Sequence, residues 1–259
     1  MRPPLLLIHG AFSGKAHLAP WTEYFRAAGY DCRAPVLPGH SPSDGDRLGE
    51  LELADYLDML GEVCVGLERP PVIVGHGLGG LLAQHLRATA DCAGAVLVSS
   101  WPGAALRPSP RAMLNTLPMI PGILRGQPVK PGKSVIRTLV LHDLSVAERE
   151  EILGEFGAES GRALRAPIFG RAEVPGTTVR RHVLVVSGDT DRIVPPSVPL
   201  ELARLYQAEH LVIPGQGHWL IAGSLVAIVG AAIVDWLERL QNGGLAAPGD
   251  SSFRIAMDV

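Results

Sequence analysis

The chain has 259 residues, and the 47% of them that are hydrophobic can bury a large core. A formal net charge of −3, without a cluster of lysine and arginine, argues against a nucleic-acid partner. The cysteines, Cys32, Cys64 and Cys92, have no CxxC or zinc-binding spacing, which favours free thiols in a reducing compartment. We therefore predict a cytoplasmic protein.

The apolar stretches near the two ends are too short for targeting or membrane segments. The apolar run in the first ten residues, MRPPLLLIHG, is shorter than a signal-peptide core, and no small-residue cleavage site follows it. Residues 220–234 are almost entirely apolar, but this length hardly spans a bilayer and Asp235 follows directly. We expect a buried helix there, which would also suit a homodimer contact, and no membrane partner.

Short apolar runs alternate with longer helical patterns, which is typical of βαβ units. The pattern predicts strands at residues 4–8, 32–37, 71–74, 95–99, 182–187 and 210–213. It predicts helices at residues 21–28, 51–67, 78–88 and 224–240. Because strands that are apolar on both faces need cover on both sides, we predict an α/β fold with a mostly parallel sheet flanked by helices.

Residues 101–178 interrupt this alternation with frequent proline and glycine and interleaved basic residues. One helix start is well marked there, because Ser145 and Glu148 form a capping box before an apolar pair. The apolar content of the segment argues against a disordered linker. We predict a helical cap at 101–178, inserted into a core of residues 1–100 and 179–241, and a flexible tail at 242–259.

Residues 70–80, PPVIVGHGLGG, lead from a strand through a turn into a helix, and they allow two interpretations. Gly75, Gly77 and Gly80 match the dinucleotide fingerprint G-x-G-x-x-G, but the next strand ends without the carboxylate that binds ribose. The second interpretation is a nucleophile elbow, G-x-S-x-G, with Gly77 in the serine position. Glycine offers no hydroxyl, so the chain as written cannot form a serine acyl-enzyme.

The elbow interpretation requires three more motifs, and the sequence contains them in the required order. They are an oxyanion loop in LLLIHGAF (5–12), an acid in SGDTDRIVPP (187–196) and a histidine in GQGHW (215–219). Together with LPGHS (37–41), they resemble the α/β-hydrolase superfamily, in its branch of bacterial esterases, lipases and C–C hydrolases with a helical cap. The resemblance covers roughly residues 4–240 and implies the α/β-hydrolase fold.

The resemblance also implies a role for each matched residue. Asp191 corresponds to the acid, with Asp189 as the alternative, and His218 corresponds to the base. The oxyanion hole would consist of backbone N–H groups, from Leu78 and from Ala11 or Phe12. No cofactor and no metal are implied. Without the family, Asp191 would simply cap its turn and His218 would be a packed loop histidine.

Several other polar residues lie in or near these motifs. We expect structural roles for His9, His76 and His40, whereas His17 has no pattern that places it in or out of a pocket. Ser13 is the nearest hydroxyl for a displaced nucleophile, although a serine in such a loop more often satisfies a backbone group.

A histidine–carboxylate dyad, amide donors and a covered apolar pocket favour general-base chemistry without a covalent intermediate. We expect a lyase that eliminates a carboxylate such as acetate from a small or medium acyloxy carbonyl compound, as the hydrolase-like acyloxy-eliminating enzymes of tetronate natural-product pathways do. The alternatives are hydrolysis by a water that His218 activates, and a serine esterase inactivated by Ser→Gly at position 77, naturally or by engineering. A non-catalytic ligand-binding homologue would leave the matching acid and histidine unexplained.

Overall fold

The computed structural model describes residues 2–41, 43–103, 110–175, 182–243 and 252–254. Its strands form one parallel sheet in the order β2-β1-β3-β4-β5-β6-β7. The strands are β1 (Leu5–Ile8), β2 (Cys32–Arg33), β3 (Val72–His76), β4 (Gly94–Val98), β5 (Val183–Gly188), β6 (Glu209–Ile213) and β7 (Ser252–Arg254). The predicted parallel sheet is therefore confirmed.

Helices cover both faces of this sheet. They are α1 (Ala19–Ala27), α2 (Leu53–Val65), α3 (Leu78–Thr89), α4 (Pro110–Thr116), α5 (Ile120–Arg125), α6 (Lys133–Val135), α7 (Val146–Leu153), α8 (Gly161–Ile168), α9 (Ser197–Tyr206) and α10 (Leu225–Gln241). A π-helical turn, Ile136–Val140, continues α6. The four helices predicted from the sequence are confirmed within about two residues at each end, which is the usual uncertainty of helix boundaries.

Alternate residues of each strand enter two separate apolar layers, one on each face of the sheet. Leu6 and Ile8 belong to one buried cluster, whereas Leu5 and Leu7 belong to the other. This follows from the two-residue period of a strand, which sends neighbouring side chains to opposite faces. Burying each such leucine stabilises the fold by about 2 kcal/mol, which explains why the strands are apolar throughout.

Strands β2 and β7 differ from the sequence-based prediction, since β2 is shorter than expected and β7 was not expected. Strand β2 stops after two residues instead of reaching residue 37, because Pro35 has no N–H for the ladder and the N–H of Leu37 donates to His9 Nε2 at 3.4 Å. At the other end, β7 pairs in parallel with β6 at residues 252–254, where we expected a flexible tail. The other residues of that tail from 244 onward lie outside the described residues.

The apolar segment at 220–234 packs within its own chain. Buried residues recur along α10 at Leu225, Val229, Ile233 and Trp236, and they belong to the apolar layer of one sheet face. No helix in the described part of the chain is long and apolar enough to cross a membrane. A homodimer through this region stays a prediction.

In its described residues, the chain between β4 and β5 forms helices α4 to α8. The predicted capping box is confirmed: Ser145 Oγ accepts the N–H of Glu148 at 3.3 Å, and Glu148 Oε2 accepts the N–H of Ser145 at 3.1 Å. The exact cap boundaries stay a prediction, since residues 104–109 and 176–178 lie outside the described residues.

A buried carboxylate joins this cap to the sheet domain. Glu159 is fully buried and lies two residues before the start of α8. Its Oε1 accepts a hydrogen bond from the hydroxyl of Tyr56 at 2.6 Å. Its Oε2 accepts the Nε2–H of His40 at 3.2 Å, and its backbone pairs with Val129 in a short antiparallel bridge. Tyr56 belongs to α2 and His40 to the loop after β2, so the contacts link cap and core.

Candidate active site

The predicted site residues meet at the carboxyl ends of four strands, where open α/β sheets bind their ligands. Gly77 connects β3 to α3 with φ +56° and ψ −115°, a conformation that favours glycine. A Cβ atom on Gly75 would collide with the carbonyl of Gly79, and one on Gly79 with the carbonyl of Ile8. The flanking glycines therefore allow the turn to pack against β1, as an elbow requires.

His218 and Asp191 form a hydrogen-bonded pair across the loops that follow β6 and β5. The Nδ1–H of His218 donates to Asp191 Oδ2 at 2.8 Å, and the two side chains are only 8% and 2% exposed. The other oxygen, Oδ1, accepts the N–H groups of Ile193 at 2.7 Å and Val194 at 2.9 Å. Asp191 thus caps its turn and also orients the imidazole through a hydrogen bond, and its role as the acid of a catalytic pair stays a prediction.

Asp189, the alternative acid, and Ser13, the alternative nucleophile, both form hydrogen bonds with backbone groups. Asp189 Oδ1 accepts the N–H of Gly215 at 2.7 Å and stabilises the turn after β6. The Ser13 hydroxyl donates to the carbonyl of Gly10 at 2.8 Å. Each group therefore satisfies a backbone partner, which is the role that we expected for Ser13 in its loop.

Three further histidines near the site, His9, His17 and His76, are buried and contact neighbouring protein groups. His17 is buried against Trp219, with ring centroids 5.2 Å apart, and does not line the cavity described below. His9 donates from Nδ1 to the carbonyl of Gly10 at 3.0 Å. His76 donates from Nε2 to the carbonyl of His218 at 3.0 Å and so helps to fix the histidine loop. The sequence offered no sign of this last contact, which joins residues 142 positions apart.

Open space lies between Gly77 and the imidazole of His218. A Cβ atom built on Gly77 would lie 3.5 Å from His218 Nε2 and 3.8 Å from the Cα of Gly10, both ordinary contact distances. Since Nδ1 is bound to Asp191, the lone pair of Nε2 is the one that faces this space. His218 is therefore placed to accept a proton from a group bound beside Gly77.

Leu78, Ala11 and Phe12, whose backbone N–H groups we predict as oxyanion donors, line the same space. Leu78 begins α3, and Ala11 and Phe12 follow β1. Within the described residues, nothing accepts a hydrogen bond from the N–H groups of these three residues. The carbonyl of Phe12, which has a φ of +63°, accepts the N–H of Gly157 from the cap at 2.8 Å. An oxyanion hole formed by these three N–H groups, one of them at a helix N-terminus, stays a prediction.

A cavity of about 440 Å³ opens above Gly77 between the core and the cap. Its apolar lining includes Trp101, Met119, Ile123, Leu139, Val140, Leu164, Ile168 and Trp219. Its ionisable lining groups, among the described residues, are the imidazoles of His76 and His218. Burial, together with the neighbouring His218, lowers the pKa of His76 to about 3, so that His76 stays neutral. The cavity therefore suits a neutral and largely apolar molecule of small or medium size.

We searched the described parts of the chain for features that would bind a metal ion or a dinucleotide. There, no group of three or more His, Cys, Asp or Glu side chains could hold a metal ion. Two glycines of the dinucleotide fingerprint are packed against protein atoms: a Cβ atom on Gly75 would collide with the carbonyl of Gly79, and one on Gly80 with the Ser100 hydroxyl. The glycine pattern is therefore explained by the elbow.

The sequence profile of the Alpha/beta hydrolase family matches residues 5–227. The chain belongs to this family. Its α/β-hydrolase fold is thereby confirmed. A curated relative, the pyrethroid hydrolase of Sphingobium wenxiniae, is 34% identical over 85 residues, which are 31% of this chain and 30% of the relative. The match thus spans about a third of either protein.

Solved structures share the fold over most of the chain. A serine-to-alanine variant of a pyrethroid hydrolase superposes with a TM-score of 0.69 and 21% identity, covering 93% of this chain and 100% of that one. An extracellular α/β-hydrolase from a Paenibacillus species gives a TM-score of 0.73 at 12% identity, with coverages of 90% and 98%. A thermophilic esterase from Thermogutta terrifontis gives 0.66 at 23%, with coverages of 92% and 90%.

Proposed function

We propose that this protein is a cofactor-independent enzyme in which His218, oriented by Asp191, acts as a general base on a neutral, largely apolar carbonyl compound. The observation that carries the proposal is the space at Gly77, where a Cβ atom would lie 3.5 Å from His218 Nε2, beside a cavity that Leu78, Ala11 and Phe12 line. With glycine at the elbow, no hydroxyl stands there to form an acyl-enzyme. The proton acceptor must then act on the substrate itself or on a small molecule beside it.

The reaction that we favour is elimination of a carboxylate from a β-acyloxy carbonyl compound. His218 Nε2 removes the proton from the carbon next to the carbonyl, and the amide N–H groups of Leu78 and of Ala11 or Phe12 stabilise the enolate oxygen. The carbon–oxygen bond to the acyloxy group then breaks, and the carboxylate leaves with the bonding electron pair. A general base contributes about 10²–10⁴-fold to such a rate, and one oxyanion donor about 10²–10³-fold.

Ester hydrolysis is the second candidate, and the comparisons support it, since the relatives are named as hydrolases and esterases. A water molecule in the space beside Gly77 would give its proton to His218 and attack the acyl carbon. Because a water molecule is held less firmly than a side-chain hydroxyl, we expect this reaction to be slower than catalysis by a serine.

Isotope labelling distinguishes the two reactions. The protein is incubated in ¹⁸O-water with simple acetate esters and with β-acetoxy carbonyl compounds, including acetoxylated tetronates. The mass of the released acetate is then measured by mass spectrometry. Acetate without ¹⁸O, together with an alkene product, supports elimination, whereas acetate with one ¹⁸O supports hydrolysis. Turnover that survives unchanged in His218→Ala would contradict both.

A further inference from the structure

A carboxylate from the cap holds the loop of the proposed base. Asp143 follows the π-helical turn Ile136–Val140, and its Oδ2 accepts the N–H of Gly217 at 2.6 Å. Gly217 immediately precedes His218, so this bond restrains the backbone from which the imidazole extends. A Cβ atom on Gly217 would lie 2.5 Å from His142 Cε1 and 2.8 Å from Asp143 Oδ1, both too close for a real contact, so glycine at this position admits both side chains.

The Asp143 carboxylate is buried without a hydrogen-bonded ion-pair partner beside it. The Asp143 side chain is only 5% exposed, and its Oδ1 has no hydrogen-bond partner within the described residues. The nearest imidazole nitrogen, Nδ1 of His142, lies 3.8 Å away, beyond hydrogen-bond distance. Burial lowers the pKa of His142, so that His142 is neutral at pH 7. A buried carboxylate with few partners destabilises a fold, which points to a role beyond stability.

The same cap segment also contacts the loop of the acid. Arg192, which directly follows Asp191, donates from Nη1 to the carbonyl of Thr138 at 2.8 Å. Residues 138–143 of the cap therefore touch the neighbours of both members of the dyad. One short stretch thus connects two loops that are otherwise joined through the His218–Asp191 bond.

This stretch is continuous with the wall of the cavity. Ile136, Leu139 and Val140 line the cavity from the cap, and Asp143 follows three residues after the last of them. The segment that would contact an apolar substrate is thus also the one that holds the histidine loop.

We infer that Asp143 is a positioning residue: through Gly217 it keeps His218 in the orientation that bonds to Asp191, and it connects this orientation to the cap wall of the cavity. The inference rests on the proposed role of His218 as general base. Asp143 does not line the cavity, so it acts through the loop rather than on the substrate.

Two substitutions of Asp143 separate positioning from charge. Asp143→Ala removes the acceptor of the Gly217 N–H, and we expect kcat to fall by up to about 100-fold, as for a displacement of about 1 Å, with KM changed less than about threefold. Long-range ¹H–¹⁵N spectra should then show His218 as a mixture of tautomers instead of the Nδ1–H form alone. Asp143→Asn keeps an acceptor oxygen and should retain the single tautomer and kcat within about threefold.

A matched control and a second variant keep the test decisive. Arg137→Ala breaks an exposed ion pair with Glu150 in the same cap region, and it should behave as the wild type. If Asp143→Ala fails to fold, Gly217→Ala is the second variant. Its methyl group would meet His142 Cε1 at 2.5 Å and Asp143 Oδ1 at 2.8 Å, so it should displace the carboxylate, lower kcat and give a mixture of His218 tautomers.

The inference is overturned if Asp143→Ala keeps the wild-type kcat and the single tautomer while His218→Ala is inactive. A loss confined to KM, or an equal loss in Asp143→Asn with the tautomer unchanged, would also overturn it. If instead His218→Ala stays active, the proposed function fails, and the tautomer spectra still test positioning by Asp143.

Discussion

At the scale of single residues, Gly77 determines which chemistry the site supports. Its backbone has the conformation of a nucleophile elbow, and the space that a side chain would occupy is open and faces His218 Nε2. The backbone N–H groups that we propose as oxyanion donors do not depend on a side chain at position 77. The chain thus combines the surroundings of a serine nucleophile with the absence of its hydroxyl.

We predict that Gly77→Ser creates a nucleophile that a fluorophosphonate probe labels covalently, because the new Cβ would lie 3.5 Å from His218 Nε2. Intact-protein mass spectrometry would measure the adduct. Gly77→Ala is the matched control, since it carries the same backbone strain, of order 1–3 kcal/mol, without a hydroxyl. A folded Gly77→Ser that stays unlabelled, like the control, would show that His218 is not poised towards position 77.

At the scale of elements, the contact between cap and core depends on the buried cluster around Glu159. Burial opposes its charge, but the hydrogen bond and positive charge of His40 outweigh this and keep the pKa of Glu159 below its ordinary value. Burial likewise opposes the charge of His40, whose pKa Glu159 raises. The two groups therefore form a buried ion pair between the cap and the loop after β2.

We predict that Glu159→Ala lowers the free energy of unfolding by about 3–5 kcal/mol, because it leaves His40 and the Tyr56 hydroxyl buried without their partner. Urea denaturation would measure the change. Glu150→Ala, which breaks an exposed ion pair of the cap, should cost about 0–1 kcal/mol. Equal effects of the two substitutions would contradict the anchoring role of Glu159.

The elements and the dyad were predictable because their signals are local. Apolar runs marked the strands, and short motifs in a fixed order marked Gly77, Asp191 and His218. Helix α9 was missed, although its buried residues recur every four positions at 198, 202 and 206. The bond from Glu159 to His40 joins residues 119 positions apart, and that from Asp143 to Gly217 spans 74. Such contacts arise only from tertiary packing and leave no pattern in a single sequence.

At the scale of the whole molecule, buried neutral histidines make the fold sensitive to acid. Burial lowers the pKa of His9 and of His17 from 6.5 to about 4, and that of His76 to about 3. Between pH 6.5 and these values the unfolded chain binds more protons than the folded one, so stability falls as the pH is lowered. Above pH 6.5 the three imidazoles are neutral in the folded and in the unfolded chain, so they no longer lower the free energy of unfolding there.

We predict a clearly lower urea midpoint at pH 5 than at pH 7.5. Between pH 7.5 and pH 5, the contribution of each of these histidines to the free energy of unfolding falls by on the order of 1 kcal/mol or more. Fluorescence of the buried tryptophans would follow unfolding. The decrease should begin near pH 6.5 and continue towards pH 4. Equal midpoints at the two pH values would contradict neutral burial of these side chains.

The central claim is that His218 acts as the base without a covalent intermediate, and kcat/KM of His218→Ala tests it most directly. On the compound that the wild type converts best, we predict a fall of about 10²–10⁴-fold with an unchanged circular dichroism spectrum. His182→Gln, an exposed histidine outside the site, should retain full activity. A folded His218→Ala protein with wild-type kcat/KM would contradict the account.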